Sequence, residues 1–133
     1  MPVVFDTSVW ISAMQFGHRR SAPVLAIEAA LSYDTIAICD QIEEEIFRIL
    51  TLKFQWEPAQ VKLRLGFLLH RAIYVRVPGK LRVCRDPNDD MVIECAVVAK
   101  ARAIVSGDKD LLALGVYKNF RIVTPAGYLA SGA

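Results

Sequence analysis

The sequence predicts an α/β fold built on a mostly parallel sheet with helices on both faces. Three observations point there. Short apolar runs alternate with helix-start signals along the 133-residue chain. Runs such as Val3-Val4-Phe5 and Ala103-Ile104-Val105 are apolar throughout, without the period-two alternation of a half-exposed sheet. Acids follow several of these runs directly, where open parallel sheets bind their ligands. With 54% apolar and 23% charged residues, the chain is expected to fold rather than stay disordered. One domain over residues 1–133 is expected, with no internal repeat.

Each element has a local reason. Val3-Val4-Phe5 reads as a buried strand, and Asp6-Thr7-Ser8 starts a helix after it. Ser21-Ala22-Pro23 opens a second helix that runs to about Leu31. Thr35 to Cys39 is a second strand. Asp40 then caps a helix, with Glu43 at capping-box spacing and Ile42, Ile46, Ile49 and Leu50 on one face, ending near Thr51. Pro58 starts another, striped by Val61, Leu65, Leu68 and Leu69. Ile73 to Val77 is a strand broken by Pro78-Gly79. Asp86-Pro87-Asn88-Asp89 is a strong helix start, and Met91 to Ala99 is apolar almost all round. Ala103-Ile104-Val105 is a strand with Ser106-Gly107-Asp108 as its exit turn, and Asp110 to Leu114 a helical turn. Phe120 to Val123 is the last strand, and Thr124-Pro125 opens a terminal helix.

Several functions are excluded or disfavoured. No apolar stretch approaches a membrane span, and the first residues lack a basic leader, so a cytoplasmic protein is expected. Cys39, Cys84 and Cys95 are odd in number and form no CxxC, which reads as packed, reduced thiols. His18 and His70 have no ligand spacing, which disfavours a Cys/His zinc site.

The charges are unevenly placed. Eleven of the fourteen acids lie in four short stretches: Asp6; Asp40 with Glu43, Glu44 and Glu45; Asp86 with Asp89, Asp90 and Glu94; and Asp108 with Asp110. Asp6, Asp40 and Asp108 follow strands and share one rim. The Asp86 helix precedes a strand, and a simple crossover is expected to start it on the opposite rim. On the helical wheel Glu44 faces water, Glu43 is spent on the capping box, and Glu45 borders the apolar face as the better site residue. Asp90 shares a face with Ile93 and Val97 and should point inward, while Asp89 is accounted for as a first-turn acid. Glu94 is a second-rank member of the same face. Two carboxylates ~4 Å apart repel by about 4 kcal/mol at an effective dielectric of about 20, which a divalent cation would relieve. Oxygen-only ligands favour Mg²⁺ or Mn²⁺ over zinc.

Four segments together resemble the PIN-domain family over nearly the whole chain: Asp6-Thr7-Ser8-Val9-Trp10, the Glu45-Ile46 helix, Asp86-Pro87-Asn88-Asp89-Asp90 with Ala96, and Val105-Ser106-Gly107-Asp108-Lys109-Asp110-Leu111-Leu112. The resemblance implies a three-layer α/β/α sandwich around a central, mostly parallel sheet. It implies a cluster of Asp6, Glu45, Asp90 and Asp108 binding Mg²⁺ or Mn²⁺, with Asp110 and Asp86 as secondary members. Ser106 stands where the family often has threonine and is expected to orient by hydrogen bonding. The activity implied is metal-dependent endoribonuclease cleavage of single-stranded RNA, as in VapC-like toxins of toxin–antitoxin pairs. An antitoxin partner and a homodimer come with that resemblance. The alternative is a catalytically silent PIN-like domain that binds RNA or a partner protein. A phospho-acceptor receiver domain fits less well, since Asp6 is the only acid at the first strand.

From Pro58 to Arg85 there are seven basic residues and no acid: Lys62, Arg64, Arg71, Arg76, Lys80, Arg82 and Arg85. The run is either a solvated face or a path for phosphates. The other basic groups beside the acidic motifs are His18-Arg19-Arg20 and Lys109.

Overall fold

The computed structural model describes residues 1–17 and 20–131, so His18 and Arg19 lie outside the described residues. Six strands form one sheet: β1 (Pro2–Phe5), β2 (Thr35–Ile38), β3 (Ile73–Tyr74), β4 (Ala103–Val105), β5 (Val116–Tyr117) and β6 (Phe120–Val123). Their order is β3-β2-β1-β4-β6-β5, and every pairing is parallel except β5 with β6. Seven α-helices accompany them: α1 (Thr7–Gln15), α2 (Ala22–Tyr33), α3 (Asp40–Arg48), α4 (Pro58–Leu69), α5 (Pro87–Ala99), α6 (Lys109–Leu114) and α7 (Pro125–Ala130).

The strand order separates the helices into two layers. The chain steps outward from β1 to β2 to β3, then returns past both to β4. Right-handed crossovers therefore place α1 to α4 on one face and α5 on the other. α5 packs under β1, β2 and β4, while α7 comes back against α2. This is the expected three-layer α/β/α arrangement. The central strands are buried on both sides, with Val3, Val4, Phe5, Ile104 and Val105 almost wholly removed from water. Phe5 meets Trp10 and Tyr128 edge-on, at centroid separations of 5.7 and 6.0 Å. Trp10 is thus a core residue, whereas Trp56 is half-buried and donates its Nε1–H to Gln15 Oε1 at 2.7 Å.

The register aligns the strand ends. Phe5 pairs with Val105, and Val105 with Val123, so Asp6, Ser106 and Thr124 leave the sheet side by side. A crossover helix runs antiparallel to the strands it joins. α5 ends just before β4, so its thirteen residues, ~20 Å of helix, begin at the carboxyl rim. The expectation that the Asp86 helix starts on the opposite rim is corrected by this direction.

Local readings differ in four places. Cys39, not Asp40, is the N-cap of α3, and no side chain caps that end. Glu43 instead accepts a hydrogen bond from the Tyr74 hydroxyl at 3.1 Å, so there is no capping box. The α3 path widens into a π-helical turn, Ile49–Lys53. The third strand stops at Tyr74, and the chain then runs without helix or strand to α5. β5, too short to carry a sequence signal, forms a hairpin with β6. No helix among the described residues is long and apolar enough to cross a membrane.

Asp34 ties the opposite rim together. Its carboxylate accepts from Arg102 Nε at 3.2 Å and Nη2 at 2.7 Å, and from the Tyr128 hydroxyl at 2.6 Å. One residue thereby joins the end of α2, the entry to β4 and α7. Burial alone would raise its pKa, but the Arg102 and Tyr128 hydrogen bonds outweigh this and hold it below the usual 3.8. A depressed carboxyl adds stability that is present above its unfolded value and is lost as pH falls through the folded value. Asp34→Asn should therefore lower stability by about 2 kcal/mol at neutral pH, as for the loss of charge-assisted hydrogen bonds. Thermal melts should show the gap between the two proteins closing as the pH drops below 3.8.

Candidate metal centre

The site begins with the flush ends of β1 and β4. Asp6 N–H donates to the Val105 carbonyl at 2.9 Å, which continues the sheet one residue past the strand. The Asp6 carboxylate makes no capping bond to α1. Its Oδ2 accepts from the Ser106 hydroxyl at 2.7 Å and the Ser8 hydroxyl at 3.2 Å. Ser106 Oγ in turn accepts from Asp108 N–H at 2.9 Å, and Asp108 Oδ2 accepts from Leu111 N–H at 3.0 Å. A single chain of bonds thus fixes Asp6, Ser106 and Asp108 relative to one another and to the start of α6.

Around these two acids lies an open cleft of about 410 Å³ whose lining includes Asp6, Thr7, Ser8, Glu45, Lys53, Asp86, Asn88, Asp89 and Asp108. A second hollow shares Ser8, Ser12 and Asp108 with it and runs on to Thr124 and Ala126. α3 delivers Glu45, and the π-helical turn carries Ile49 and Lys53 onto the same side. Glu45 is also 4.0 Å from Arg48, one turn on. α5 delivers Asp89.

Of the expected ligands, the structure brings Asp6, Glu45 and Asp108 together and places Asp90 elsewhere. Asp90 is buried, as the wheel implied, but outside the cleft lining. Its Oδ1 accepts the N–H groups of Val83 at 2.8 Å and Cys84 at 2.7 Å. Burial would raise its pKa, yet these backbone donors hold it below the usual range. Glu94, one turn later, likewise accepts from Gly79 and Lys80 N–H. The two acids therefore face the segment before α5. Asp89 projects from the neighbouring side into the cleft.

The secondary members divide as well. Asp86 caps α5, accepting from Asn88 N–H at 2.9 Å, and it lies at the cleft edge. Asp110 has a carboxylate oxygen within 4.8 Å of those of Asp89 and Asp108. It is also paired with Arg85 at 3.0 and 3.1 Å. Sequence reasoning missed Asp89, because a first-turn acid already had an explanation. It also missed Lys53, for which periodicity gives no signal.

The electrostatics are those of an anion cluster short of positive charge. Burial raises the Asp6 pKa, Asp108 adds to this, and the Ser106 and Ser8 hydroxyls only partly offset it. Asp89 is pushed from 3.8 to about 7, first by burial and then by Asp108, Asp6 and Asp86. The Thr7 hydroxyl, which also lines the cleft, is buried without a hydrogen-bond partner. Crowded carboxylates, an unspent hydroxyl and an oxygen-only donor set fit a hard divalent cation such as Mg²⁺ or Mn²⁺.

Comparison with known proteins follows the same lines. The family model described as PIN domain matches residues 2–110. No curated protein matches the sequence. One chain of the crystal structure of VapBC2 from Rickettsia felis, bound to a DNA fragment from their promoter, is similar in fold. The similarity covers 92% of this chain and 97% of that one, with 16% identity and a TM-score of 0.63.

The raised Asp89 carboxyl has a signed consequence. Between 3.8 and about 7 the folded chain keeps a proton that the unfolded chain has lost. Ionising Asp89 in the fold is unfavourable, so metal-free stability should fall as pH rises through that window and level off above it. Melts in chelator should show Asp89→Asn gaining on the native protein from pH 3.8 to about 7 and holding that gain beyond.

Proposed function

The chain belongs to the PIN-domain family, and we propose on that premise that it is a Mg²⁺- or Mn²⁺-dependent endoribonuclease of single-stranded RNA. The observation that carries this reading is the convergence of Asp6, Glu45, Asp89 and Asp108 on one open cleft. The likeness in fold to a VapBC2 chain supports a toxin role with an antitoxin partner. A homodimer and a cytoplasmic location belong to the same proposal.

Asp6, Asp89 and Asp108, with Glu45 completing the set, would hold the cation. A bound divalent ion supplies positive charge for a phosphoryl group and makes water a better nucleophile at neutral pH. The chain's own groups set the geometry. Ser106 and Ser8 fix the Asp6 carboxylate, and Leu111 N–H fixes Asp108. The crowding that raises the Asp89 pKa in the metal-free chain is what a bound cation would relieve. Lys53 offers a cation from the cleft wall to a phosphate oxygen. The open shape of the cleft suits a strand that is not paired.

Substitution separates the members. Asp6→Asn, Asp89→Asn and Asp108→Asn should each reduce Mn²⁺-dependent cleavage of a labelled single-stranded RNA by roughly 100-fold or more. Glu45→Gln should impair it too, while Glu44→Gln, on an exposed side of α3, should leave it unchanged. Circular dichroism should show each variant folded. Native protein that binds Mn²⁺ and RNA yet leaves the RNA intact would favour the silent, binding-only domain.

A further inference from the structure

Between Tyr74 and Pro87 the chain has no helix or strand, yet its backbone is tightly specified. The anchors are two of the three buried acids of α5, Asp90 and Glu94. Asp90 Oδ1 receives Val83 N–H at 2.8 Å and Cys84 N–H at 2.7 Å. Glu94 Oε1 receives Gly79 N–H at 3.0 Å, and its Oε2 receives Lys80 N–H at 3.1 Å. Asp90 and Glu94 are only 5% and 8% exposed, so the acceptor ends of these forks are shielded from water, which strengthens charge-assisted bonds. Gly79 has φ +78°, a conformation other residues rarely adopt, and it supplies one of the donated N–H groups. Arg82 Nη1 bonds the Gly79 and Leu81 carbonyls at 3.0 and 2.7 Å, which closes the turn from outside.

What this backbone carries is positive charge. Arg76, Lys80, Arg82 and Arg85 are all exposed, Arg82 leaning on its own turn and Arg85 on Asp110, and no acid lies in the segment before Asp86. The segment also ends at the cleft. Arg85 pairs with Asp110, whose carboxylate lies within 4.8 Å of Asp89 and Asp108. A strap that only covered the core would need apolar anchors such as Val77, which it has. Apolar contacts do not account for two buried carboxylates spent on four backbone amides. Fixing the backbone path, and with it the spacing of the cations, does.

We propose that Asp90 and Glu94 are positioning residues that hold segment 79–85 as a cationic rail, so that Lys80, Arg82 and Arg85 meet successive phosphates of a single-stranded RNA entering the acidic cleft. This deepens the nuclease reading and rests on it for the identity of the ligand. Asp90 acts on the substrate's track through backbone bonds and leaves cation binding to Asp6, Glu45, Asp89 and Asp108.

The test uses the full chain and three readouts. Hydrogen exchange by NMR should show Asp90→Ala speeding exchange about tenfold or more at Val83 and Cys84, and Glu94→Ala doing the same at Gly79 and Lys80, with β1 and β4 amides unchanged. Should an alanine variant fail to fold, Asp90→Asn and Glu94→Gln, which keep an acceptor oxygen, should fold and show intermediate protection. Binding of a fluorescent oligouridylate in chelator should weaken with salt. Arg85→Ala or Lys80→Ala should flatten the log–log slope by about 0.7 for one lost contact, and the α5 variants should flatten it in the same direction. Titration with Mn²⁺ alone should show Asp90→Asn binding like the native chain and Asp89→Asn losing affinity. Loss of Mn²⁺ binding in Asp90→Asn with loop protection intact would make Asp90 a ligand and overturn the proposal. Faster loop exchange with an unchanged salt slope would also overturn it, leaving a structural strap. Native protein that binds the oligouridylate with the expected slope but does not cleave it under Mn²⁺ supports the rail and defeats only the nuclease reading.

Discussion

The hydrogen bond from Ser106 to Asp6, 2.7 Å long and wholly buried, is the joint on which the rim is assembled. It exists because β1 and β4 pair with Phe5 opposite Val105, so the next residue of each strand emerges beside the other. The Ser106 oxygen is used twice, donating to Asp6 and accepting from Asp108. A hydroxyl can do both, and an amide or carboxylate at that position could not do so in the same geometry. Through this joint the sheet register sets the distance between two acids a hundred residues apart in sequence.

The same rim must accommodate several anions at once. Parallel topology helps, since α1, α5 and α6 all begin there and turn the positive ends of their dipoles toward the acids. Each such end contributes about 0.3–1 kcal/mol, less than the repulsion between close carboxylates. Burial first, and this deficit after it, raise the pKa values of Asp6 and Asp89. Asp90, also buried, and Asp34, half-buried, both sit below the usual range because paired backbone donors, or Arg102 and Tyr128, face them. Burial and donors together thus separate acids that fasten the fold from acids crowded at the cleft.

α5 shows how sharply that division can fall. Asp89 and Asp90 are adjacent, buried to similar degrees, and turned ~100° apart on the helix. One rotation step sends Asp89 toward Asp108 and Asp90 toward the amides of Val83 and Cys84. Glu94 extends the second side by a turn, against Gly79 and Lys80. One helix therefore serves the cleft with one side and the basic segment with another.

The sequence by itself determined the class of fold, the alternation of elements, the carboxyl-rim position of Asp6 and Asp108, and the caps at Asp86 and Thr124. Those features are local: an apolar run, a capping residue or a proline acts over one or two turns. That Glu45 and not Glu44 would turn toward the packed side of its helix was also legible, because a helix face is set by spacing along one element. What tertiary structure decided was which of Asp89 and Asp90 faces the cleft, the loss of the Asp40–Glu43 capping box to a Tyr74 contact, and the route of the chain after Tyr74. Each depends on which partner lies opposite. The wheel correctly turned Asp90 inward, but inward was the backbone of residues 83 and 84, more stabilising to a buried carboxylate than a cleft full of other anions. Side-chain direction is written in helical periodicity; the group waiting there is set only when distant segments pack.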